Sequence, residues 1–249
     1  MSSKTTDDAL LEDATKAVNA ERYQDAIDII NLEMSVGGQA RADVKQVLAN
    51  GYAGKCGLNF VNFVSGLSSS SSGTAFHLMA APFVGEVVDP SSCLTALSTM
   101  DSIGTTAQRT ADQNAFTSVV GMALMGTTIR LYTDAAPAST NGDGATDSAN
   151  IACSLTNAQM DLIILGFGYM AKNFSALSSQ QLGSSSQASL SGVISVCSSV
   201  PGVTCVVTDQ TQISTLLRDT MRDLLNTSDY GIGSVTTNGN PLLLVGACP

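Results

Sequence analysis

The chain has 249 residues and a mass of 25.5 kDa; 44% of its residues are hydrophobic, only 13% are charged, and the mean hydropathy is +0.20. That much apolar material offsets chain entropy, which excludes a disordered polyelectrolyte. Eleven basic residues against 21 acidic ones give a net charge of −10, which excludes holding a nucleic-acid backbone by counterion release or an anionic bilayer by a basic face.

Residues 1–8 are polar and predict a flexible tether. Apolar residues then recur at spacings of three and four: Leu10, Ala14, Ala17 and Val18, followed by Tyr23, Ala26, Ile27 and Ile30. This is the period of two amphipathic helices, ended by Gly37-Gly38. A third helix is expected from about Ala40, carrying Val44, Val47, Leu48 and Tyr52. It is read as continuing through Phe60 and Phe63, weakened by Gly51, Gly54 and Gly57. Residues 67–73, a leucine, five serines and a glycine, predict a linker or loop. It either separates a helical segment over 9–66 from a helical core region over 74–249, or is a loop within one continuous domain.

Residues 74–88 predict one short or bent helix, broken by Pro82 and Gly85. Asp89-Pro90 stops it, and Ser91-Ser92 open a helix bearing Cys93, Leu94, Leu97 and Met100. The segment 114–132, capped by Asp112 or Asn114, is apolar nearly all round, as expected of the central helix of a core. Gly121 and Gly126 permit close approach of a neighbour. A Gly/Asp/Asn-rich loop covers 133–150. Thr156 and Gln159 form a capping box ahead of the stripe Met160, Ile163, Ile164, Phe167, Met170, Ala171 and Phe174. A Ser-rich stretch, 178–188, precedes a short apolar segment from Leu190 to Val196, and Val203–Val207 offers a short strand without the alternation of a sheet. A last helix is expected over 210–225, capped by Asp209 and Gln212. The fold class is all-α: about eight helices in an irregular, disulfide-stapled bundle or array.

Six cysteines, Cys56, Cys93, Cys153, Cys197, Cys205 and Cys248, carry no CxxC spacing and no nearby histidine. Such a set favours three disulfides in an oxidising compartment over a zinc framework. Cys197 and Cys205 flank a turn at Pro201-Gly202 and are the preferred pair; the connectivity of the other four stays open.

Within residues 8–66 the pattern resembles one and a half tetratricopeptide repeats. Ala14 matches the small position of helix A, and Tyr23, Ala26 and Ile30 match helix B. Leu48, Ala49 and Tyr52 match the next helix A, with Ala49 following Ala14 at a period near the expected 34 residues or so. Ala17 and Glu33 depart from the repeat, and no proline closes it. The resemblance implies a helical-repeat scaffold that binds another protein through its surface. The polar opening also resembles a mature bacterial lipoprotein, with Met1 standing where a lipidated cysteine would be and the signal peptide removed. That implies a periplasmic or outer-membrane-anchored protein, touching the membrane only through its lipid. No apolar run is long enough for a spanning helix.

Chemical motifs are few. No nucleophile elbow, phosphate loop or metalloprotease helix is present, and His77, between Phe76 and Leu78, reads as a core histidine. The sharpest local signal is Asn141-Gly142-Asp143-Gly144-Ala145-Thr146-Asp147, which resembles a calcium loop. In that register Ser139, Asn141, Asp143, Ala145 and Asp147 supply oxygens. Position twelve is Asn150, where the usual glutamate is missing, and Asp134 could assist if the loop folds back. The opposing reading is a polar turn that needs no ion. The sequence therefore predicts a non-enzymatic envelope lipoprotein that docks another envelope protein or self-associates, without a cofactor unless calcium. The alternatives are a calcium-binding adhesion or envelope-structural protein, and a hydrolase or small-ligand binder built around 114–132 and 157–174.

Overall fold

Capping chemistry sets where the helices begin. In the computed structural model, which describes residues 6–69, 74–148, 151–176, 184–236 and 248, Thr6 caps α1 (Asp7–Asn19), its hydroxyl accepting from the Ala9 amide. The helix thus starts inside the stretch expected to be a tether, because Asp7 and Asp8 in the first turn favour its positive N-terminus. α2 (Tyr23–Asp28) runs on into a π-turn over Ile29–Glu33, and a single turn, α3 (Val36–Gln39), is capped by Ser35. α4 (Ala42–Lys55) does not continue through Phe60. Gly57 takes φ +105°, a left-handed conformation costly for other residues, and α5 (Phe60–Ser69) starts in a new direction. Three of the residues expected in a linker, Leu67, Ser68 and Ser69, are helical; residues 70–73 lie outside the described residues.

α6 (Ala75–Ala80) ends in a 3-10 turn at Pro82, and α7 (Pro90–Asp101) starts one residue earlier than expected, with Pro90 as its first residue under an Asp89 cap. α8 (Ala111–Thr133) is started by Thr110 and Gln113, not by Asp112 or Asn114. These two form a reciprocal capping box that satisfies two amides at once. A short α9 (Ile151–Ser154) precedes α10 (Asn157–Asn173), which starts at the expected Thr156/Gln159 box. The segment 190–196 belongs to a longer helix, α11 (Ser184–Ser198). Its serine-rich first turns are carried by burial of Leu190, Val193 and Cys197 at spacings of three and four. α12 (Thr215–Leu225) is capped by Ser214, while Asp209 and Gln212 bracket a separate 3-10 turn. Residues 203–207 form no ladder. Among the described residues the one bridge pairs Thr227 with Val235, and the chain there is all-α with twelve α-helices.

Two apolar cores result. The smaller packs Leu10, Ala14 and Ala17 of α1 against Ala26, Ile30, Met34 and Val44. The larger surrounds α8 and α10, the most extensively packed helix pair. Here a Cβ on Gly121 would fall 2.7 Å from the Gly166 carbonyl oxygen, and one on Gly166 would fall 2.7 Å from that of Gly121. The two backbones touch, and Ser118 donates to the Met170 carbonyl across the contact at 3.1 Å. α4 joins the cores: Val44 belongs to the first, Ala53 and Cys56 to the second, and α4 lies along α7. α5 turns away from α4 to pack on the 3-10 turn after α6, with Phe63 and Phe83 ring centroids 5.5 Å apart.

Three disulfides staple the fold: Cys56–Cys93, Cys153–Cys248 and Cys197–Cys205, with Cα separations of 5.2, 5.3 and 6.0 Å. The first fastens the end of α4 to α7. The second fastens Cys248 beside α12, where its amide donates to Asp223. No helix among the described residues is long and apolar enough to cross a membrane.

Candidate functional site

The break at Gly57 opens a groove. α1, α2 and α4 stand on one side, and α5, the start of α8 and the 82–87 turn stand on the other. The groove consists of two hollows of about 600 and 590 Å³ that share Tyr23, Gly54 and Leu58 as a saddle. Gly54 makes the saddle: any Cβ there would strike the Tyr23 ring, which lies flat on α4. Gly51, one turn earlier, lets Ile27 approach to 3.2 Å of where its Cβ would be. The glycines that weaken α4 as a helix are therefore the ones that let α2 lie against it.

The first hollow is lined by Val18, Ala53, Leu58, Phe60 and Phe116, with Asp43, Gln46, Asn50, Asp112 and Gln113 as its polar groups. Phe60 and Phe116 stack with centroids 6.4 Å apart. Gln46 donates to Asn50 at 3.2 Å, and its own buried carbonyl oxygen has no hydrogen-bond partner among the described residues. The second hollow adds Phe63, Phe83 and Val87 with Glu21, Asn59, Asn62 and Glu86. Burial, and after it the Glu21 charge, raises the Tyr23 hydroxyl above its ordinary pKa, so it remains a donor at neutral pH. Neither lining includes a lysine, arginine, histidine, cysteine, serine or threonine. The groove can therefore hold an apolar body and attract positive charge, but its own side chains supply no nucleophile–base pair.

Basic residues near the groove are already engaged. Arg41 is paired with Asp8 and Asp43, Lys45 donates to the Ser102 carbonyl at 2.8 Å, and Lys55 donates to Gln24 at 2.8 Å. Further along the chain the arginines are turned inward. Arg109 is held by Asp101, Asn114 and Asn173 at 3.0–3.2 Å. Arg130 donates to the Glu86 and Asn141 carbonyls, Arg218 grips Asp161 with two nitrogens, and Arg222 donates to Leu155 and Asn157. Beside Arg109, Tyr169 donates to Asp101. Burial first, then that hydrogen bond and the Asp101 charge, push the Tyr169 hydroxyl far above its ordinary pKa. This polar cluster is a structural tie, with each carboxylate oxygen of Asp101 accepting a hydrogen bond.

The groups singled out from sequence lie elsewhere. His77 is exposed on α6, not in the core, because one residue's step round the helix from buried Phe76 turns it to solvent. In the 134–147 loop, Asp134 does fold back, accepting from the amides of Asp143 and Gly144 at 3.0 and 2.9 Å. Asp147 accepts from Ala135 and Ala136, Asp143 accepts from Ala145, and Asn141 donates to the Gly85 carbonyl. Ser139 lies in an exposed 3-10 turn with Ala145 exposed beyond it, and Asn150 is outside the described residues. The loop's carboxylates thus serve its own amides. Among the described residues no three His, Cys, Asp or Glu side chains converge into a metal-holding group. Of the candidate residues, the structure joins Cys197 to Cys205, and likewise Cys56 to Cys93 and Cys153 to Cys248.

The helices 114–132 and 157–174 meet backbone to backbone, so the site lies beside the α8–α10 pair and not between its members. Sequence reasoning did not find the groove, since its walls come from segments up to 98 positions apart, Val18 to Phe116. Its one legible signal is the spacing of Gly51, Gly54 and Gly57. No family model matches the chain, and no curated protein or solved structure matches it either.

Proposed function

We propose that this chain is a non-enzymatic docking protein of an oxidising compartment such as the bacterial envelope, taking a segment of a partner protein into the groove between α4 and α5. One observation carries the reading: the paired hollows, apolar at the saddle and acidic at the edges, with aromatic side chains left partly uncovered. Phe60 is 41% and Val87 79% exposed, and both line the groove. Aromatic and aliphatic side chains gathered round a recess are what partner segments bury when they bind. The α1–α2–α4 packing, with Ala14, Ala26 and Ala49 fully buried, supports a repeat-like scaffold. The three disulfides support an oxidising setting.

A photo-crosslinking residue placed at Phe60 tests this in the native host. The expected result is a discrete covalent adduct with one partner, without a matching adduct from Asp219 on the exposed face of α12. Absence of an adduct at Phe60, or the same adducts from both positions, would refute the docking function. A small-ligand reading has one observation in its favour: the first hollow alone is within the usual range of about 300–1,000 Å³ for small-molecule sites.

A further inference from the structure

We propose that the groove's occupant is an extended polypeptide segment with lysine or arginine at both ends and apolar side chains between them; this rests on the docking reading above. The charge arrangement chooses the ends. Asp43 and Asp112 lie in one hollow and Glu21 and Glu86 in the other, with no cation in either lining. Asp43 is already partnered by Arg41, and Glu21 accepts weakly from Asn59 at 3.4 Å. Asp112 and Glu86 have no ion-pair partner among the described residues. One stands at the far wall of each hollow, so each hollow keeps one carboxylate open to an incoming cation. Beyond residue 55, Arg109, Arg130, Arg218 and Arg222 are committed to internal acceptors and cannot neutralise these groups. The net charge of −10 extends the attraction to the encounter itself.

The saddle chooses the middle. Tyr23 and Leu58 form its floor, with Phe60 and Val87 exposed at its two sides, so side chains crossing from one hollow to the other meet apolar surface. Length chooses a polypeptide: two hollows of about 600 and 590 Å³ joined end to end exceed what one small molecule fills.

The test is fluorescence anisotropy on the full, disulfide-intact chain. The probe is a labelled, end-blocked peptide of lysine, leucine, valine, leucine and lysine. The same peptide ended by glutamate, and one with glycine in place of its apolar residues, are the comparisons. The lysine-ended apolar peptide is expected to bind, and to bind less tightly as salt shortens the Debye length. Asp112→Asn with Glu86→Gln should weaken it by about fivefold, while Asp219→Asn with Glu33→Gln, outside the groove, should leave it unchanged. Phe60→Ser should weaken it too. Equal binding of the glutamate-ended peptide, equal binding of the glycine peptide, insensitivity to the groove variant, or no binding of the lysine-ended peptide each overturns the proposal. If any of these occurs while the Phe60 crosslink still captures one partner, the charge assignment fails and the docking reading stands. If the crosslink fails as well, both fall.

Discussion

In the α1–α4 array the charged side chains pair at the surface. Lys16 with Glu12, Arg22 with Asp25, and Arg41 with Asp8 and Asp43 all join partners open to solvent. Around α8 and α10 the opposite holds: the Arg109 side chain is 1% exposed and its nitrogens are met by protein oxygens. Six of the eleven basic residues fall within the first 55 positions, and four of the remaining five are the inward-turned arginines. Exposed pairs contribute about 0–1 kcal/mol each. The array must therefore be held by its alanine packing and by being fastened to α7, whereas the core depends on close backbone contact and on polar groups that cannot lose a partner.

The staple between the two regions is the strongest way to test that division. Cys56→Ser with Cys93→Ser opens a link spanning 37 positions, and chain-entropy reasoning gives a loss of about 4 kcal/mol. Limited proteolysis should then cut within residues 7–55 before it cuts α8 or α10. Simultaneous cutting of both would show that the array does not depend on the staple. Gly166→Leu attacks the core instead. Its new side chain meets the Gly121 carbonyl, which is backbone and cannot move aside, so about 3 kcal/mol or more should be lost in urea unfolding. Gly51→Ala in the array meets the Ile27 side chain at 3.2 Å and the Tyr23 carbonyl oxygen at an ordinary contact distance of 3.5 Å, and should cost under about 1 kcal/mol.

Ion pairs sharpen the contrast on a smaller scale. Asp101→Ala leaves the Arg109 guanidinium buried without its carboxylate and should cost about 3 kcal/mol. Asp25→Ala, which removes an exposed partner of Arg22, should cost less than about 1 kcal/mol. Comparable losses in thermal unfolding would erase the distinction. A further small effect is a titration. Burial raises the Asp89 carboxyl, but hydrogen bonds from Ser91 and Ser92 outweigh it and hold the pKa below the ordinary 3.8. A lowered folded-state pKa stabilises above the unfolded value and is lost as pH falls through 3.8 towards the folded one. The cap on α7 should therefore contribute about 1 kcal/mol near neutral pH and fade in acid. Asp89→Asn, which caps without titrating, should flatten that part of the pH–stability curve.

Much of the core was legible from periodicity. The all-round apolar run of α8, the α10 stripe and the Thr156/Gln159 box are local patterns, and local patterns survive in a bare sequence. Other features are not local. Asp101, Arg109, Asn114, Tyr169 and Asn173 have no shared spacing, and their partnership exists only once α7, α8 and α10 are packed. Thr110 was hidden by Asp112 and Asn114, which are equally good caps by residue type; the reciprocal Gln113 decides between them. In α11 serine content argues for a loop, and tertiary burial overrides it. The groove is the least legible feature, being a gap between elements whose existence depends on how far α5 swings after Gly57.

The Cys56–Cys93 bond also fixes how the molecule would answer a mechanical pull. Tension applied at the amino end runs along α4 to Cys56 and crosses at once to α7, bypassing the intervening stretch. On the amino side of the bridge, the residues ahead of Cys56 are free to uncoil under load while the stretch between Cys56 and Cys93 is not. The bypassed 37 positions withhold about 120–130 Å of contour length until the sulfur bridge is reduced. That length would therefore be released by a thiol and not by additional force.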